Sequence, residues 1–137
     1  MLHPVVLGDL LDDEVAVAVE RLGSRAAGLV HDGRHVRCPL RSAGDSCRWL
    51  SLDGQRYDGE SFRVAVCVPD GVPLPIGGWP AGLAHSVHPV TGEPFACVRG
   101  TWEYYLYPGH HQERWDAHRP RLRLADLLDH LLRKASQ

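Results

Sequence analysis

The sequence predicts an α+β fold, and three observations carry that prediction. An apolar stripe recurs at helical spacing through Leu11, Val15, Ala18 and Leu22. Short strand-like runs then follow one another, divided by Asp-Gly and Pro signals. A second helical stripe, Leu124, Leu127, Leu128 and Leu131, closes the chain. Helices flanking a run of strands predict helices packed on one antiparallel, four-stranded meander sheet.

Each element has a local reason. Asp9 reads as a helix N-cap, Asp12, Asp13 and Glu14 suit the positive end of the dipole, and Gly23 is a natural stop, so a helix is expected over about 10–22. Gly28–His31 and Arg34–Cys38 read as a hairpin across Asp32-Gly33. Residues 42–45 read as a loop, and Cys47–Leu52 as a strand closed by Asp53-Gly54. In Phe62–Val68 the alternate face is only partly polar, which predicts a central strand, ended by Pro69 because proline cannot donate to a ladder. Residues 69–82 hold four prolines and four glycines and read as an ordered, irregular crossing. Leu83–Val87 is expected as a further short strand. Residues 98–119 carry Trp102, Tyr104, Tyr105, Tyr107, His110, His111, Trp115 and His118 without a clear period. Residues 133–137 are expected to fray.

Composition bounds the function. The 137 residues suit one domain spanning 1–137, and a hydrophobic content of 44% with 23% charged residues is that of an ordinary globular chain. A formal net charge of −2 gives no footprint for nucleic acid or an anionic membrane, and no apolar run has the length of a bilayer span. The first residues, with His3, Pro4 and Asp9, do not read as a signal peptide, so a cytoplasmic location is expected.

The four cysteines, Cys38, Cys47, Cys67 and Cys97, lack the Cys-x-x-Cys spacing of a zinc ribbon or redox pair. Three lie in expected strands and read as small buried hydrophobes; Cys97 follows the turn His88-Pro89-Val90-Thr91-Gly92-Glu93-Pro94. His110, His111, Glu113 and His118 offer ligand chemistry for zinc but not a helical ligand spacing, so neither metal nor cofactor is expected.

The order of these features resembles the ubiquitin-conjugating enzyme family over roughly residues 10–134. Tyr57, Gly59, Phe62, Val64, Val66 and Pro69 match the spacing of that family's strand motif, and Trp49 stands at a familiar tryptophan position on the preceding strand. Pro73, Pro75 and Pro80 stand for its proline-rich segment, His88-Pro89 for the first two residues of its His-Pro-Asn turn, and Cys97 for its nucleophile. Leu124–Leu132 matches the helix beyond the active site. The short form is similar to bacterial relatives encoded beside a ubiquitin-like protein, an activating enzyme and a deconjugating protease in anti-phage systems.

The resemblance implies a thioester on Cys97. Its partners would be a ubiquitin-like protein, an activating enzyme and a target, and the face of residues 12–21 would meet the activating enzyme. The chemistry needs an accessible, partly ionised thiol and, for transfer to an amine, a nearby acid or base. By region the candidates are Asp116, His111 and His118. His88 reads either as an assisting base or as the imidazole that organises its turn. Val90 replaces the family's asparagine, so its side chain cannot donate to an oxyanion; Thr91, a turn N–H or a histidine in 110–118 are substitutes. Two other readings remain open from the residues: a non-catalytic binding module of the same fold, and a cysteine hydrolase pairing Cys97 with a histidine.

Overall fold

The computed structural model describes residues 1–40 and 48–137, so the 42–45 loop and Cys47 lie outside the described residues. The first helix, α1, spans Pro4–Leu22 and starts well before residue 10. Pro4 occupies the first helical position, where its fixed φ helps and its missing N–H costs nothing. The His3 ring Nδ1 accepts from the Val5 N–H at 3.2 Å and caps the helix. Asp9 is therefore an exposed mid-helix residue, not a cap. Leu7 joins Leu11, Val15, Ala18 and Leu22 on the buried face, while the exposed valines Val5 and Val6 blur that stripe in the sequence. Gly23 ends the helix.

Four strands follow: β1 (Val30–His31), β2 (His35–Pro39), β3 (Trp49–Asp53) and β4 (Arg63–Cys67), antiparallel and in that spatial order. The Asp32 carboxylate accepts from the Arg34 and His35 N–H groups at 2.8 and 2.7 Å and shapes the first hairpin. Register places Val36, Leu52 and Val64 in one row and Cys38, Leu50 and Val66 in the next, all buried. These rows meet α1 and α4 (Leu124–Ala135), whose Leu124, Leu127, Leu128 and Leu131 are buried; each such leucine stabilises by about 2 kcal/mol.

β4 lies at the sheet edge, not its centre. It reads as central because other chain segments cover that edge. The Glu103 carboxylate accepts from Val64 N–H at 2.9 Å, Leu74 N–H donates to Val66 carbonyl at 2.9 Å, and Trp102 N–H donates to Phe62 carbonyl at 2.8 Å. The edge is thus paired without a fifth strand, which removes a template for aggregation. Within Leu83–Val87 only Ser86–Val87 (β5) is strand, and it pairs with Pro94–Phe95 (β6) in a separate ladder. Residues 98–119 contain two short α-helices, α2 (Trp102–Leu106) and α3 (Trp115–His118), with a 3-10 turn at Pro108–His110 between them.

A polar network joins the helices. Glu14 on α1 accepts from Tyr57 Oη and from the Leu124 N–H, each at 2.9 Å, and from the Arg123 guanidinium. Arg123 also reaches Asp58 at 3.0 Å, and Trp115 Nε1 donates to the Asp58 carbonyl at 2.7 Å. Burial first, then the Glu14 charge, pushes the Tyr57 hydroxyl pKa upward and keeps it a donor. The motif tyrosine is thus a tie between α1, α4 and the loop before β4.

Candidate active site around Cys97

The site grows from the β5–β6 turn. His88 N–H donates to Glu93 carbonyl at 2.8 Å, and Gly92 N–H donates to His88 carbonyl at 2.9 Å. Gly92 has φ +73°, which a side chain would resist. The His88 ring is only 1% exposed. Its Nδ1 accepts from Val90 N–H at 3.1 Å, which places the proton on Nε2 and lets that nitrogen donate to the Glu103 carbonyl at 2.9 Å. Phe95 and Tyr107 meet its ring edgewise at 4.6 and 5.8 Å. Both ring nitrogens are engaged, so His88 holds the turn rather than presenting a base.

Beyond β6, Ala96 and Val98 are buried while Cys97 between them is partly exposed. The chain then turns through Gly100, with φ +105°, where an added Cβ would meet Leu122 Cδ2 at 2.5 Å. Thr101 caps α2 by accepting from Tyr104 N–H at 3.2 Å. These contacts fix where the Cys97 backbone leaves the core.

Partial burial raises the Cys97 thiol pKa; the charge of Lys134 pulls it back and that of Glu113 adds to the rise. Lys134 stands in the last turn of α4. Glu113 is held by two groups: Tyr104 Oη donates to its Oε2 at 2.5 Å, and Arg99 reaches its Oε1 at 2.8 Å. The Tyr104 hydrogen bond first, then Arg99, keeps the Glu113 carboxyl below its ordinary pKa, so it is ionised at neutral pH. Tyr104 belongs to the aromatic cluster that the sequence offers either as core or as a wall of the cysteine cleft; Arg99, Glu113 and Lys134 do not read as neighbours of Cys97 in the sequence. In the sequence Glu113 reads as a zinc-ligand candidate, and the one local signal is the position of Arg99, two residues after Cys97.

The other sequence candidates make their contacts elsewhere. Asp116 on α3 is exposed and pairs with Arg119 at 3.6 Å. His111 is exposed and bonds the Pro108 carbonyl at 3.1 Å. His118 Nδ1 lies 2.6 Å from Tyr105 Oη. Burial pushes the Tyr105 pKa up to about 12, so this hydroxyl stays protonated. Val90 is exposed and its N–H is taken by His88; Thr91 Oγ1 accepts from Glu93 N–H at 3.2 Å. Among the described residues no histidine hydrogen-bonds to Cys97, no group of three or more His, Cys, Asp or Glu is arranged to hold a metal, and no helix is long and apolar enough to cross a membrane. Cys38 and Cys67 are buried. No protein-family model matches the chain, and no curated protein matches it.

Proposed function

We propose that this chain is a ubiquitin-conjugating-enzyme-like transferase that carries a ubiquitin-like protein as a thioester on Cys97, in a bacterial conjugation pathway linked to anti-phage defence. The observation that supports it most is the contrast among the described cysteines: Cys38 and Cys67 are buried, whereas Cys97 is partly exposed. It stands after a rigid turn and before the leucine helix, in the order the resemblance implies.

In the first step Cys97 Sγ attacks the thioester carbonyl on the activating enzyme. A carbon–sulfur bond forms, another breaks, and the thiol proton of Cys97 ends on the departing sulfur. Bond energies nearly balance, so positioning matters more than a strong base. The raised thiol pKa works against the ionisation this step needs, and the Lys134 charge opposes that rise. Lys134 favours the thiolate when partner binding strips water from the site. In the second step the ionised Glu113 carboxylate orients the incoming ammonium, which loses a proton to solvent; the free amine then forms the C–N bond as the Cys97 C–S bond breaks, and the second nitrogen proton ends on the Cys97 sulfur.

One arrangement favours a second reading, a non-catalytic binding module. Val90 offers no side-chain donor and its N–H is committed to His88, so the turn lacks a free oxyanion donor at that position. Incubation with the cognate activating enzyme, ubiquitin-like protein and ATP separates the two. A conjugate released by reductant and absent in Cys97→Ala supports the transferase. A Cys97→Ser form that traps a reductant-resistant ester supports it further, and no adduct in any form supports the module.

A further inference from the structure

The open face of the sheet leads into a groove of about 380 Å³ that the chemistry above does not use. It is lined by His35, Asp53 and Arg63 from β2, β3 and β4, by the apolar Pro73, Leu74, Trp79 and Pro94, and by the exposed Glu93 and the buried Glu103. The size is within the range of small-ligand sites.

Glu103 is the unusual member. It is only 6% exposed, yet it lines the groove. Its Oε1 accepts from Val64 N–H at 2.9 Å. Among the described residues it has no ion-pair partner. The nearest cation that acts on it, Arg63, has its guanidinium stacked 4.4 Å over the Trp102 ring. Asp53 is drawn to Arg34 and His35. His88 meets only the Glu103 backbone carbonyl. A buried carboxylate without a counter-ion is costly in its ionised form and gains most from a cation brought by a ligand.

We propose that this groove binds a primary ammonium on an aliphatic stem, the ammonium against Glu103 and the stem along Pro73, Leu74, Trp79 and Pro94. A lysine side chain of a polypeptide and a free alkyl diamine share this chemistry. Burial holds the Glu103 pKa near 7, so ammonium binding at neutral pH displaces a proton to solvent. Asp53 and Glu93 add to the attraction; Arg63 and, when charged, His35 oppose it. The site stands whether or not Cys97 carries an acyl group.

The test is calorimetric titration of the Cys97→Ala chain at pH 7 with Nα-acetyl-lysine amide, cadaverine, and the neutral Nα,Nε-diacetyl-lysine amide, in two buffers of different ionisation heat. Saturable binding of a charged probe with proton release, absent for the neutral probe, is the expected result. Stronger binding by the lysine derivative assigns a polypeptide lysine, and stronger binding by cadaverine a free amine. Glu103→Gln, which keeps the acceptor for Val64, weakens binding by about tenfold or more and removes the proton release. Binding of neither charged probe, binding without proton release by the unsubstituted groove, or equal binding by a folded Glu103→Gln chain overturns the proposal. Cys97 is absent from this assay, so failure here leaves the thioester reading untouched.

Discussion

Two polar clusters of similar make-up have different surroundings. At one end of the fold, Glu14, Arg123, Tyr57 and Asp58 form a network around a carboxylate whose side chain is 11% exposed, accepting from two side chains and one backbone N–H. At the other, Arg99, Glu113 and Tyr104 form a network around a carboxylate that is 30% exposed, beside a partly exposed thiol. Each has an arginine, a glutamate and a tyrosine. The buried version fixes architecture, because removing one partner leaves charges in a poor solvent. The exposed version is worth little to stability, because water screens it, and its effect falls on the neighbouring sulfur.

The comparison breaks most readily at Glu14. Glu14→Ala removes the acceptor shared by Arg123 Nη2, Tyr57 Oη and the Leu124 N–H, leaving Arg123 only Asp58 and the Arg119 carbonyl, and is expected to cost about 3 kcal/mol in chemical denaturation. Glu113→Ala is expected to leave the denaturation midpoint nearly unchanged. Equal losses at the two sites would erase the distinction.

Glu103 gives the next effect, with a defined sign. Its carboxyl pKa is raised from 4.5 to about 7 by burial. Between those values the unfolded chain releases the proton and the folded chain keeps it, so stability falls as pH rises through that window and the loss is complete above it. The contribution is about 3 kcal/mol at most. Denaturation of wild type and Glu103→Gln from pH 4 to 8 is expected to show a slope in this window that the glutamine form lacks.

Gly100→Ala tests the bend that delivers Cys97. The positive φ and the close approach of Leu122 predict a loss of about 2 kcal/mol and a displaced thiol, read by melting and by alkylation rate. The smallest effect is at the exposed cluster. Glu113→Gln removes a charge that raises the Cys97 pKa, so alkylation of Cys97 near neutral pH is expected to quicken by about twofold, and Lys134→Gln to slow it by a similar factor.

Periodicity made the helix faces and the strands legible, because burial of one face leaves a spacing in the sequence. The buried stripe of α1 and the leucines of α4 are read directly. The start of α1 was hidden because exposed valines imitate a core and Asp9 imitates a cap. The edge position of β4 was hidden for a related reason: Val64 is satisfied by a carboxylate 39 positions along the chain, which no local pattern encodes. Glu14 and Arg123 meet across 109 positions and read as separate surface charges. The turn before Cys97 made its partial exposure legible. Its electrostatic neighbours were not, because Glu113 and Lys134 are brought near it only by the packing of residues 98–119 and α4.

We propose Cys97 as the carrier sulfur. The direct measurement is the intact mass of the chain after incubation with its activating enzyme, ubiquitin-like protein and ATP, with and without reductant. A mass increase of one modifier less water, lost when excess thiol takes the acyl group from Cys97 and absent in Cys97→Ala, is expected. An activating enzyme that becomes charged while this chain gains no mass, or an adduct that persists in Cys97→Ala, would contradict it.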